Sequence, residues 1–206
     1  MKTQFWLSAV TVMAVSVLPV PSLAETVATA VTDLNVRAGP GPEHAIIGFI
    51  RGNDKIVMIG CIEGSLWCHV KHRGQEGWAY SQYLATPSGG RRVIISETRD
   101  PTIPTITYGV TTGTAAPPYA VSGALVARPL EVATSVAVEP PAGVRTYVIE
   151  NPVDPIYLNG EVVVGAGLPN TVRLSPVPNY DYNYVYVNRQ PVLVEPTTRR
   201  IVYVYR

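Results

Sequence analysis

The chain has 206 residues with 16 Lys and Arg against 15 Asp and Glu, 47% hydrophobic residues and only two cysteines. Charges of both signs are spread evenly: residues 26 to 86 carry five of each, 91 to 143 four of each, and 144 to 206 six basic and five acidic. Nucleic-acid binding rests on clustered Lys and Arg that neutralise phosphates, so this balance argues against nucleic acid as a partner and against a polybasic membrane-surface protein.

The chain opens with Lys2, an apolar run from Phe5 to Val20, Pro19 and Pro21, and then Ser22-Leu23-Ala24. This is the pattern of a secretory signal peptide over residues 1 to 24, cleaved after Ala24 at a small-x-small site. A membrane-spanning helix needs about 20 continuous apolar residues; this run has 16 and is interrupted by Ser8, Thr11 and Ser16. The expected product is a periplasmic or secreted chain that starts at Glu25 and keeps no transmembrane segment. Loss of Lys2 leaves 15 charges of each sign.

Residues 26 to 86 read as a series of short strands. Ala30 to Val36 alternates, Arg37 to Pro42 is a Gly/Pro loop, Ile46 to Ile50 is apolar, and Arg51 to Asp54 is a turn. Lys55 to Ile62 is β-branched, Glu63-Gly64-Ser65 is turn chemistry, Leu66 to Val70 resumes the extended pattern, and Glu76 to Tyr83 closes the set. Five short strands in about 60 residues predict a small barrel, with Leu34, Val36, Ile47, Ile56 and Val70 as core. Trp67, Trp78, Tyr80 and Tyr83 are strand aromatics that either pack inward or form a recognition groove.

Cys61 and Cys68 lie across the turn in this barrel. With Gly64-Ser65 as a two-residue connection they face each other, within reach of a disulfide, and an exported chain meets oxidising conditions. The haem motif C-x-x-C-H is broken by the six-residue gap. A zinc site from Cys61, Cys68, His69 and His72 is opposed by strand alternation, which sends Cys68 and His69 to opposite faces. The expectation is a Cys61–Cys68 staple, with no metal and no cofactor.

The stretches Leu34-Asn35-Val36-Arg37-Ala38-Gly39-Pro40, Ile47-Gly48 to Gly52, Trp67-Cys68-His69-Val70 and Gly77-Trp78-Ala79-Tyr80-Ser81-Gln82-Tyr83-Leu84 resemble the bacterial SH3 (SH3b) family over residues 28 to 85. Many members of that family are exported and associate with the cell wall or with peptides, so the resemblance implies an SH3-like barrel and a binding module. The candidate ligand-binding residues are Trp78, Tyr80, Trp67, Asn35 and Arg37.

Residues 87 to 143 shift to Pro, Thr, Ala and Gly, with eight prolines from Pro87 to Pro141. Such spacing removes backbone donors and fixes φ, which predicts a largely disordered, extended linker.

Residues 144 to 206 return to folded composition and predict a small β-rich domain. Tyr147 to Ile149 reads as a short strand, Asn159-Gly160 as a hairpin turn before a strand Glu161 to Val164, and Tyr180 to Val187 as a strand with four tyrosines on one face. Pro191 to Val194 and Ile201 to Tyr205 add two strands. The stretch from Tyr184 to Val202 resembles the end of an alphaproteobacterial family of exported proteins, a domain of unknown function often found behind SH3-like domains.

No Ser-His-Asp, metal or phosphate-loop pattern stands out, and His44, His69 and His72, the only histidines, have no motif partner. The residues thus predict a mostly β, non-enzymatic chain, and the resemblance implies a binding module with peptidoglycan or envelope proteins as partners. The alternative is a structural or assembly protein that docks through both domains.

Overall fold

The computed structural model describes residues 25–98, 101–109 and 121–206; the proposed leader, residues 1 to 24, lies outside them. The described chain is mostly β. Fifteen strands form in order: β1 (Thr26–Ala30), β2 (Leu34–Arg37), β3 (Ile46–Ile50), β4 (Lys55–Ile62), β5 (Trp67–His72), β6 (Gln75–Tyr80), β7 (Leu84–Ser88), β8 (Arg91–Ile94), β9 (Thr105–Ile106), β10 (Val121–Ala124), β11 (Tyr157–Asn159), β12 (Ser175–Pro176), β13 (Asn183–Val187), β14 (Gln190–Val194) and β15 (Ile201–Val204). Two helices, α1 (Pro129–Thr134) and α2 (Ala142–Glu150), lie between β10 and β11.

The barrel sheet runs β3-β2-β6-β5-β4-β1-β7-β8, with β9 added in parallel beside β4. The alternating stretch from Ala30 to Val36 is not one strand. It breaks into β1 and β2 around Asp33, whose carboxylate accepts the Gly52 N–H at 2.9 Å. Glu76 to Tyr83 likewise ends as a strand at Tyr80 and closes in a 3-10 turn, Ser81–Tyr83. Leu34, Val36, Ile56 and Val70 are buried as expected, whereas Ile47 is 41% exposed. The reason is a bulge: Val36 pairs with Gly48 and Arg37 with Ile46, so Ile47 falls outside the ladder and its side chain escapes the inward alternation.

The described parts of the stretch read as a disordered linker include regular elements: the end of β7, β8, β9, β10, α1 and the start of α2. β7 and β8 form a hairpin across Gly89-Gly90, both at positive φ, 56° and 78°. Pro104, immediately before β9, supplies the carbonyl that accepts the Cys61 N–H at 2.9 Å, and α1 begins on Pro129, the helix position where a missing N–H costs nothing. Pro104, Pro129 and Pro141 therefore sit at or just before the starts of elements rather than preventing them. Residues 110–120, also assigned to that linker, lie outside the described part.

In the carboxy-terminal part β12-β13-β14-β15 form an antiparallel sheet. Tyr147 to Ile149 belongs to helix α2, not to a strand. Pro140 and Pro141 precede the helix, with Pro141 at its N-cap, and Asn151 ends it with its own amide donating to the Tyr147 carbonyl at 2.8 Å. The strand Glu161 to Val164 does not form. Gly160 turns the chain at φ 102°, and β11 instead pairs in parallel with β10. Tyr180 and Tyr182 precede β13, which starts only at Asn183.

Alternation along β13 separates two cores. Tyr184 and Tyr186 face α2, where their hydroxyls donate to the Asn151 and Val148 carbonyls at 2.8 and 3.0 Å, in a cluster with Val148, Val177 and Leu193. Val185 and Val187, on the opposite face with Val192, Val194 and Ile201, belong to one continuous apolar cluster with barrel residues such as Leu34, Val70 and Tyr83. A core shared between the barrel and the carboxy-terminal sheet is expected to couple their unfolding.

Candidate functional site

All five candidate ligand residues are buried: Asn35 and Arg37 are 1% exposed, Trp67 and Trp78 7%, and Tyr80 9%. The structure brings them together on one side of the barrel because β2, β6 and β5 are adjacent, with Arg37 opposite Trp78, His69 opposite Trp78 and Trp67 opposite Tyr80. The aromatics are layered. Trp67 meets Tyr80 edge-on at 5.2 Å, His69 stacks on Trp78 at 5.1 Å, and Tyr108 from the Pro-rich segment meets the Trp78 ring edge-on at 5.1 Å.

What covers the polar part is the protein's own carboxy-terminal domain. Gly160 turns the chain so that the Glu161 carboxylate enters the barrel face, fully buried. Arg37 Nε donates to Glu161 Oε2 at 2.6 Å and Nη2 to Oε1 at 2.8 Å, a two-pronged fork. Its remaining nitrogen, Nη1, donates to the Pro42 and His44 carbonyls at 2.8 and 2.9 Å, so the Gly/Pro loop holds the guanidinium in place. Glu161 Oε1 also accepts from Asn35 Nδ2 at 2.9 Å and from the Val162 N–H at 2.8 Å. Asn35 Nδ2 reaches Gln190 Oε1 as well, at 3.0 Å, and Gln190 donates on to the Tyr205 carbonyl. A buried ion pair survives in a core only when such hydrogen bonds satisfy its remaining atoms.

Nearby phenols register this environment. Burial, then the charge of Glu161, raises the Tyr80 hydroxyl above the ordinary phenol range. Tyr83 is raised further, by burial first and then by Tyr80 and Glu161. Neither can supply a phenolate near neutral pH. The arrangement is suited to holding two surfaces together, not to moving protons.

Glu161, Gln190 and Asn188 are the residues that sequence reasoning missed. Asn188 is 1% exposed; its Oδ1 accepts the Leu158 N–H at 2.9 Å and its Nδ2 donates to the Leu158 and Gly160 carbonyls at 3.0 and 3.3 Å. It thus pins the loop that delivers Glu161. The available signal was a lone acidic residue before Val162-Val163-Val164, since a charge inside an apolar run needs a partner.

On the far side of β4 and β5 the expected staple is present. Cys61 and Cys68 are disulfide-bonded with Cα atoms 4.0 Å apart, and they pair directly in the ladder. Gly60 opposite His69 follows the same register, after which a bulge at Ile59 shifts the pairing to Met58–Val70. A Cβ on Gly60 would lie 2.9 Å from the Pro104 carbonyl oxygen, so glycine there admits β9. Replacing both cysteines with serine is expected to cost about 2 kcal/mol, the low end for a short loop. For a chain of this size that lowers the melting temperature by roughly 4–8 °C. Thiol counting on the unreduced, denatured protein should find none free; two would overturn the assignment.

Residues 32–85 match the bacterial SH3 domain family and residues 147–206 match a domain of unknown function, DUF1236. The chain joins a bacterial SH3 domain to a DUF1236 domain. No curated protein matches it. The Arg37–Glu161 fork therefore runs from the SH3 domain into DUF1236, and both family regions contribute to one polar centre. A bacterial SH3 domain is a binding-type domain, and among the described residues no helix is long and apolar enough to cross a membrane.

Proposed function

We propose that the protein is an exported, non-enzymatic binding module of the cell envelope, in which the SH3 domain and DUF1236 act as one recognition body for cell-wall peptide or glycan, or for an envelope peptide. The observation that carries this reading is the burial of Glu161 in the SH3 face. Asn35 and Arg37, the motif residues that sequence nominates for a ligand, join the two domains instead, so an external target meets a composite surface and not the barrel alone. Export, to the periplasm or beyond, is supported by the leader pattern and by the Cys61–Cys68 bond, since disulfides persist in oxidising compartments. Absence of catalysis is supported by the site's chemistry, because an ion pair that is 1% and 0% exposed on its two sides offers neither a proton donor nor a nucleophile to a substrate. Within this reading residues 26 to 86 and 144 to 206 are the two domains and 87 to 143 the segment that ties them.

A second reading, a structural or assembly protein that docks on other envelope proteins, is favoured by the burial of Trp67, Trp78 and Tyr80, which leaves no exposed tryptophan platform for sugar rings among them. Sedimentation of the exported form with purified peptidoglycan separates the two. Pelleting with the wall is the expected result. Protein that stays in the supernatant overturns wall recognition and leaves docking on envelope proteins.

A further inference from the structure

Beside the buried ion pair, where β3 meets the carboxy-terminal sheet, a cleft of about 480 Å³ opens between the two domains. That lies within the range of small-ligand sites, roughly 300–1,000 Å³. Ile46, Gly48 and Phe49 form one side, and Pro191 and Tyr205 the other. Ile46 and Ile47 are 42% and 41% exposed, which extends the apolar surface past the mouth.

Two arginines line this cleft, and their charges have different fates. Arg206 lies over the Phe49 ring, 4.6 Å from its centroid, and its Nη1 is 3.8 Å from the Asp33 carboxylate. Its charge is thereby balanced. Arg189 is exposed and makes no ion pair or hydrogen bond among the described residues, so it leaves a net positive charge at the mouth. The backbone that carries it is held in place. Asn188 and Arg189 form the two-residue β13–β14 connection, both at positive φ, 51° and 68°, and the Asn188 amide is locked to Leu158 and Gly160. An exposed guanidinium at the mouth of a largely apolar cleft is complementary to a carboxylate placed beside a small apolar side chain. β3 ends its sheet, so an extended peptide can lie along it.

We propose that this cleft is a peptide-binding site, taking an extended segment whose free carboxylate pairs with Arg189 while its neighbouring apolar side chain enters between Phe49 and Pro191. This rests on the peptide-binding reading above and deepens it by naming the place. The SH3 domain supplies one apolar wall and DUF1236 the other together with the cation, so neither family region alone forms the site.

The probe is a synthetic wall-type peptide, Ala-γ-Glu-Lys-Ala-Ala, compared by calorimetry with the same peptide amidated at both carboxyl groups. The acid form should bind the wild-type protein about tenfold more tightly, as expected for one charge-assisted contact at a partly desolvated site. Arg189→Glu should abolish that preference, and because Arg189 is exposed its melting temperature should not move. Phe49→Ala should weaken both peptides. If Arg189→Glu keeps the wild-type preference while the wild type still pellets with peptidoglycan, the cleft assignment fails and the wall-binding reading stands. If the wild type neither pellets nor binds the acid peptide, both fail.

Discussion

Replacing Glu161 with alanine should destabilise the protein by about 3–5 kcal/mol, the cost of leaving one partner of a buried ion pair uncompensated. Arg37 is 1% exposed and would keep a buried charge with only the Pro42 and His44 carbonyls as acceptors. Asn35 Nδ2 would retain Gln190, but the Val162 N–H would lose its partner. Total stabilities run at about 5–15 kcal/mol, so this one change consumes a large share of what holds the fold. Chemical denaturation followed by tyrosine and tryptophan fluorescence checks it, and a loss below about 1 kcal/mol would mean that water reaches the pair. The double variant Arg37→Met with Glu161→Leu should recover much of the loss, because apolar groups of similar volume often replace a buried pair at little cost. Recovery should be incomplete, since Pro42 and His44 then lose their shared donor.

The pair also explains which parts of the molecule sequence reveals. The barrel was legible because its signals are local: β-branched runs, turn residues, and a register through Gly64-Ser65 that sets Cys61 opposite Cys68. The tyrosine row was legible as a face but not as a site, since alternation says that Tyr184 and Tyr186 share a side without saying that α2 covers it. That helix was misread because Tyr147-Val148-Ile149 is too short an apolar run to show a period, while the informative residues, Pro140, Pro141 and Asn151, are terminators at its ends. Elements within the Pro-rich segment were not legible because proline excludes helix interiors and central strands but permits edges and first turns; α1 begins on such a proline, and Pro104 directly precedes β9. The site itself was half legible. Asn35 and Arg37 carry their motif in plain view, but Arg37 and Glu161 are 124 residues apart, and no periodicity links them. The motif was therefore visible in the sequence, while the group that Arg37 and Asn35 meet, a loop of the same chain, depends on tertiary packing alone.

Asn188→Ala is expected to have the second largest effect, about 2–4 kcal/mol, although its amide bonds to Leu158 and Gly160 and not to Arg37. Three bonds end on its buried amide, and its removal leaves the Leu158 N–H, the Leu158 carbonyl and the Gly160 carbonyl short of partners. A buried group left unpaired costs about 1–3 kcal/mol. Asn188 also sits at φ 51°, a conformation that asparagine tolerates and alanine resists, adding roughly 1 kcal/mol. Because this amide fixes the loop carrying Glu161, its effect should not add to that of Glu161→Ala. Once Glu161 is gone the loop has less to hold, so the double variant should fall short of the sum by about 1 kcal/mol or more. Strict additivity in that double-mutant cycle, read from the same denaturation curves, would show that the Asn188 turn and the interdomain ion pair are independent.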